Sequence, residues 1–181
     1  FEGAWQFGEL GDEDVAAWFG STVIGYKPGD SSLAPRVFLG LDAASGDRTP
    51  GGSVQTFNQL YPLGHAYFGL ADVLGRQNLV GANLGCSIKA TPHTTATLTA
   101  HVFQLLDKDD GIYAVNGALA RSGPFDSADI GQELDLYVTH NVTPYFSVYG
   151  GYSRFFSGKA VEEGALSDDI DFLYFGTALT F

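Results

Sequence analysis

The feature that most constrains this chain is a two-residue rhythm that sorts oily from small or polar side chains. It is clearest in DFLYFGTALTF, residues 171–181. There Leu173, Phe175, Thr177, Leu179 and Phe181 share one face, and Tyr174, Gly176, Ala178 and Thr180 the other. Successive side chains of a β-strand point to opposite faces, so the pattern predicts a strand lying between two environments. Residues 144–157 set Phe146, Val148, Gly150 and Tyr152 against Tyr145, Ser147, Tyr149, Gly151 and Ser153. Residues 130–142 set Ile130, Leu134, Leu136 and Val138 against Glu133, Asp135, Tyr137 and Thr139. Residues 94–106 oppose Ala96, Leu98, Ala100 and Val102 to Thr95, Thr97, Thr99 and His101. Residues 76–90 oppose Val80, Ala82, Leu84, Cys86 and Ile88 to Asn83, Gly85, Ser87 and Lys89. Residues 35–45 oppose Val37, Leu39, Leu41 and Ala43 to Phe38, Gly40 and Asp42, and residues 1–8 oppose Phe1, Gly3, Trp5 and Phe7 to Glu2, Ala4, Gln6 and Gly8. Over residues 14–27 the rhythm is weaker, with Trp18, Ile24 and Tyr26 on the oily side.

These segments amount to about eight strands, each near the roughly 9–11 residues that cross a bilayer at a tilt. The connections between them differ sharply in length. ATPHT (90–94) and NVTP (141–144) are tight and KPGDSSLAP (27–35) is moderately short, whereas residues 46–75, 107–129 and 157–168 are long. Short turns at one end and long loops at the other predict an outer-membrane β-barrel. Hydrocarbon offers no water to backbone groups, so only helices and closed barrels span it. No apolar run reaches the roughly 20 residues of a membrane helix. A barrel turns its oily face to lipid and its polar face inward, which puts Glu133 and Asp135 inside. Tyr26, Tyr145, Tyr152, Phe155 and Phe156, near strand ends, are expected in the interfacial aromatic girdles.

Composition narrows the function. A net charge of −12 excludes the basic stripe that nucleic acid requires. One cysteine, Cys86, permits no internal disulfide. The four histidines, His65, His93, His101 and His140, show no metal-ligand spacing. DKDDG (107–111) lacks the closing Glu of a calcium loop. No metal site and no cofactor is expected. The first residue is Phe1, with no secretory signal, so the chain is expected to be a mature form or a fragment.

Between the strands lies TFNQLYPLGHAYFGLADVLGRQN (56–78), a greasy stretch without strict alternation, preceded by LGLDAASGD (39–47). These segments resemble the alginate-export family of outer-membrane β-barrel porins. FEGAWQFGELGDEDVAAW (1–18), GQELDLYVTHNVTPYFSVYGGYSRFFSG (131–158) and DFLYFGTALTF (171–181) extend the resemblance over essentially the whole chain. It implies an antiparallel transmembrane barrel of about eighteen strands, of which residues 1–181 would be the C-terminal portion. It implies passive export of an anionic polysaccharide through a charged lumen narrowed by inward-folded loops. The greasy stretch then becomes a loop packed into the barrel mouth, with a short helix around His65–Leu74. Its constriction residues would be Phe57, Asn58, Gln59, Tyr61, His65, Tyr67 and Asp72.

A uronate favours a cationic pore, and only nine Lys and Arg are present. Arg36, Arg76 and Lys89 are the expected lumenal bases, while Arg154 has lipid-facing parity and would snorkel to the interface. Glu2, Asp42, Glu133 and Asp135 should face inward and pair with such bases. Many small inward residues (Gly40, Gly85, Thr97, Thr99, Ser147, Gly151) argue for a lumen wider than an eight-stranded barrel allows. Further strands, preceding Phe1 or supplied separately by envelope proteins, would then complete the wall. The expected function is an outer-membrane channel for a hydrophilic solute, such as an anionic polysaccharide or sugar acid, with no covalent chemistry. The alternatives are a plugged scaffold barrel or a small lipid-modifying enzyme using the inward-facing His101.

Overall fold

The computed structural model describes residues 1–29, 31–49, 51–164 and 168–181. Asp30 in the 27–35 turn, Pro50 in the 46–75 loop and residues 165–167 in the 157–168 loop lie outside the described residues. The chain is all-β. Among the described residues ten strands run in order: β1 (Glu2–Leu10), β2 (Glu13–Tyr26), β3 (Arg36–Ala44), β4 (Leu79–Thr91), β5 (Thr94–Leu105), β6 (Ile112–Tyr113), β7 (Leu119–Arg121), β8 (Asp129–Thr143), β9 (Phe146–Ser157) and β10 (Ile170–Leu179). Eight of them form one antiparallel sheet in the order β1-β2-β3-β4-β5-β8-β9-β10, and β6 and β7 make a small hairpin of their own. Each large-sheet strand thus pairs with the next large-sheet strand along the chain, β6 and β7 lying in the connection between β5 and β8. The outer edges of β1 and β10 carry no partner strand among the described residues.

The sheet curls, so that residues from β2 through β10 line one cavity on its inner face. Polarity is inverted relative to a water-soluble sandwich. On the outer face Leu173 and Phe175 are 78% and 90% exposed, and Trp5, Phe7, Ile24, Leu39, Leu84, Leu98, Leu134 and Leu136 are exposed with them. Glu133 and Asp135, on the inner face, are only 2% and 4% exposed. At one end of the sheet β4–β5 and β8–β9 turn tightly. At the other end three long connections gather beside one tight turn, Gly11–Asp12 between β1 and β2.

Apolar burial is concentrated at the loop end. Phe68, Leu74, Leu79, Phe103, Leu105, Ile112, Phe125, Ile130, Phe155 and Ala160 form one cluster, and Ala17, Phe19, Ala44 and Phe57 a smaller one. Two of these side chains depart from their sequence expectation. Ile130 was expected outward with Leu134, yet it lies inside. Phe103 opposes Gly131 and Gln104 opposes Asp129, so Ile130 is the extra residue of a β-bulge that reverses its face. Gly131 makes the bulge possible with φ of 145°, where a Cβ would come within 2.3 Å of the Phe156 carbonyl oxygen. Phe155, expected in an aromatic girdle, is 1% exposed inside that cluster, because its inward parity places it beneath the loops. Tyr26, Tyr145, Tyr152 and Phe156 are exposed.

The loops are knotted by polar contacts. Asn78, fully buried at φ 50°, donates from Nδ2 to the carbonyls of Asp107 and Gly111 and accepts from the Asp107 amide. The carboxylate of Asp110 accepts from the amides of Asp47 and Gly111 and from the hydroxyls of Thr56 and Tyr113. These four donors explain why DKDDG is a structural joint. Burial and the bond to Asp110 push the Tyr113 phenol up from 10.0 to about 12. That raised value means its stabilising contribution is whole below pH 10.0 and is lost as pH rises through about 12. Spectrophotometric titration should therefore lose one late-ionising tyrosine in Tyr113→Phe. Phe155→Ala should lower the unfolding free energy by about 3–5 kcal/mol. Phe156→Ala, on the opposite face, should cost at most about 1 kcal/mol in the same urea titration.

Candidate functional site

Strand register arranges the inner face in cross-strand rows, which run from the loop end towards the tight turns. The first row below the apolar cap contains Glu2, Ser21, Asp42, Gly81 and Phe103. The next holds Val23, Gly40, Asn83, His101, Glu133 and Phe155. Then come Phe38, Gly85, Thr99, Asp135, Ser153 and Phe172, and below them Arg36, Ser87, Thr97, Tyr137, Gly151 and Tyr174. A last row runs Lys89, Thr95, Thr139, Tyr149 and Gly176. Acidic residues therefore sit in the upper rows and the bases Arg36 and Lys89 in the lower ones.

The connection between β3 and β4 folds down onto this face. Its helix, α1, is a single turn, Gly64–Tyr67, rather than the expected His65–Leu74, because Gly69 (φ 95°) and Asp72 (φ 54°) turn the backbone left-handed. That reversal aims two successive amides at the wall. Leu70 N–H donates to Asp135 Oδ2 at 3.2 Å and Ala71 N–H to Glu133 Oε1 at 2.9 Å. Glu133 also accepts from Ser153 Oγ at 2.6 Å, and His101 Nε2 lies 3.2 Å from Asp135 Oδ2. Gly69 is needed for the approach, since a Cβ there would stand 2.3 Å from Glu133 Oε1. A second tether is Arg76, whose Nη2 lies 2.9 Å from Asp42 Oδ2. Its guanidinium carbon sits 4.6 to 5.2 Å from the ring centroids of Phe19, Tyr67 and Phe68, so one cation is held both by charge and by π-faces. His65 bridges Asp72 (3.0 Å) and the Tyr174 hydroxyl (3.0 Å).

Beneath the docked loop remains a cavity of about 810 Å³. Of the residues singled out in the sequence, Arg36, Asp42, His65, Tyr67 and Asp135 line it. Glu133 and Arg76 are engaged above it by the loop and by Asp42. Lys89 stands apart beside the 27–35 turn, and its amide donates to the Leu33 carbonyl. Glu2 is exposed on edge strand β1. Phe57 packs on Phe19 with centroids 4.9 Å apart, and Asn58 exchanges two hydrogen bonds with Gln6. Gln59 bonds the Val115 carbonyl and the Arg76 amide, while Tyr61 is 91% exposed. Arg154, on the outer face, pairs with Asp169 and Asp171.

Thr97 and Thr99 line the cavity, but the three inward glycines do not leave the open space expected of them. Phe38 covers Gly85, Asn83 covers Gly40, and Tyr174 covers Gly151. The sequence rhythm identified these inward positions, but not that their glycines would receive rings from the next strand. The signal that could have found this is register, which sets each aromatic opposite a glycine. His101 stacks on Phe103 with centroids 5.6 Å apart and acts as a strut between that ring and Asp135.

A family model described as Alginate export matches residues 1–171. No curated protein matches the chain.

Two substitutions report on the tether. Arg76→Ala leaves Asp42 nearly buried without its partner and should cost about 3 kcal/mol. Asp42→Asn in the same chain should recover part of that loss, as read by a double-mutant cycle. Gly69→Ala should expose residues 56–75 to limited proteolysis while leaving the strand content of the circular-dichroism spectrum intact.

Proposed function

This chain belongs to the alginate-export family, and from that premise we propose that its sheet is part of the wall of an outer-membrane channel for a hydrophilic, anionic saccharide. The observation that carries the reading is the inverted polarity of the ladder. Leucine and aromatic side chains face outward along every long strand, while Glu133 and Asp135 are buried on the inner side. In water such an outer face would be a large exposed apolar patch; in lipid it is the stable arrangement. Strand edges cannot be left bare in hydrocarbon, where each unpaired backbone group costs several kcal/mol. The exposed edges of β1 and β10 therefore pair with further strands of a larger barrel. An eight-stranded barrel is filled by its own side chains, whereas this inner face also receives residues 65–71 of the β3–β4 connection.

Charge on the inner face suits an anion better than the net charge suggests. Three inward acids are engaged, each through one carboxylate oxygen: Asp42 by Arg76, Glu133 by the Ala71 amide and Ser153, Asp135 by the Leu70 amide and His101, while Glu2 lies exposed on the edge strand. Arg36 and Lys89 lie in the lower rows, and neither makes an ion pair among the described residues. A fixed cation in a narrow, weakly screened passage raises the local concentration of anions. The solute would pass by diffusion, selected by the gap beneath the loop and by this wall charge. His101 serves as a support for Asp135 and performs no chemistry.

A second reading, a plugged scaffold, is favoured by one observation: the tethers at Asp42, Glu133 and Asp135 hold the loop firmly in the interior. Planar-bilayer recording decides between them. A channel should give discrete conductance steps that grow when residues 48–74 are deleted. Its preference should shift from anions to cations in Arg36→Glu/Lys89→Glu. Silence from both the intact protein and the deletion variant would favour the scaffold and overturn the channel.

A further inference from the structure

The β8–β10 side of the cavity carries a feature that the wall charge does not use. Tyr137, Tyr149 and Tyr174 converge there, with ring centroids 6.2 to 6.5 Å apart, and Phe172 stands 5.6 Å from Tyr174. Register makes a checkerboard of them. Gly151 lies between Tyr137 and Tyr174 in one row, and Gly176 lies opposite Tyr149 in the next. The rings lie over these glycines. A Cβ at Gly151 would be 2.6 Å from Tyr174 Cε1, and one at Gly176 would be 2.6 Å from Tyr149 Cζ. Tyr137 and Tyr174 lie within 22° of parallel while Tyr149 stands at 64° to Tyr174, and all three tyrosines are half-buried on the cavity side. Tyr174 is also fixed from above, its hydroxyl 3.0 Å from His65 Nε2.

We propose that this tyrosine–glycine checkerboard is a stacking site for pyranose rings, which bind through their C–H face. A pyranose whose hydroxyls are all equatorial presents axial C–H bonds on both faces. Those hydrogens match the negative π-face of an aromatic ring, while the hydroxyls around the rim reach the phenol groups and Thr97 and Thr99. The cavity of about 810 Å³ accepts a short saccharide. Arg36 shares the row of Tyr137 but stands three strands away, about 14 Å along the wall. Recognition at the platform is therefore by ring shape, and a neutral sugar binds there without help from a cation. The inference rests on reading this face as a saccharide passage; it adds where a sugar ring pauses and why.

The test measures binding, so it is independent of conductance. Saturation-transfer NMR on the full chain in detergent uses cellobiose as a neutral pyranose probe and sorbitol as an open-chain polyol. Cellobiose should receive saturation chiefly at its axial ring protons, at high and low salt alike, and sorbitol should receive little. Tyr149→Leu and Tyr174→Leu should each weaken cellobiose binding about fivefold to tenfold. Tyr149→Phe and Tyr174→Phe, which keep the ring and its packing on glycine, should retain binding and the axial-proton pattern. Equal saturation of sorbitol, a uniform pattern over the sugar, or unchanged binding in folded leucine variants would overturn the proposal. If the leucine variants do not fold, the phenylalanine variants and the proton pattern still decide. Binding without conductance would count against the channel alone, and conductance without binding against the platform alone.

Discussion

The arrangement of the interior depends on two buried carboxylates being met by main-chain amides. Glu133 and Asp135 are two residues apart on β8, so the strand period puts both on the inner face, away from water. A carboxylate buried without partners is costly enough to reject the conformation. Two successive N–H groups, freed by the left-handed turn at Gly69, each meet one oxygen of this pair and in doing so fix the loop. Successive amides that converge on an anion are a common way of binding phosphate or sulfate; here the anion belongs to the wall. The Arg76 strut repeats the logic with the opposite sign, a loop cation meeting a wall acid.

This places the chain's acidity in a different light. Twenty-one Asp and Glu against nine Lys and Arg suggest a surface hostile to anions. Four of these acids, however, are spent on internal joints. Asp110 collects four donors in the loop knot, and Asp42, Glu133 and Asp135 hold the β3–β4 connection. What remains on the inner wall near the tight turns is hydroxyl, aromatic and basic.

Much of the fold was legible from period alone. Where a strand separates an oily from a polar side, as β10 does with Leu173 and Phe175 against Tyr174 and Gly176, sequence parity and structural face agree. Parity failed where the ladder slips: the bulge at Gly131 turns Ile130 inward, and nothing in the spacing of residues 130–138 announces it. Environment failed separately from parity at Phe155, whose inward position was readable but whose covering by loops was not. The path of residues 56–78 depends on amides, on Gly69 and on the Arg76 and His65 side chains meeting distant strands, so composition could suggest burial there without showing against what. The tyrosine platform was readable only as inward-facing residues. Which glycine each ring would rest on is a matter of register between strands, and register is not local information.

The loop's attachment through amides has an evolutionary side. Leu70 and Ala71 contribute N–H groups to the wall, and every amino acid but proline carries one. Side chains at those two positions are thus free to drift without undocking the segment, while position 69, squeezed against Glu133, tolerates little beyond hydrogen. Such a hinge lets the side groups beside the cavity be recoloured over generations, trading one set for another, while the segment itself stays docked.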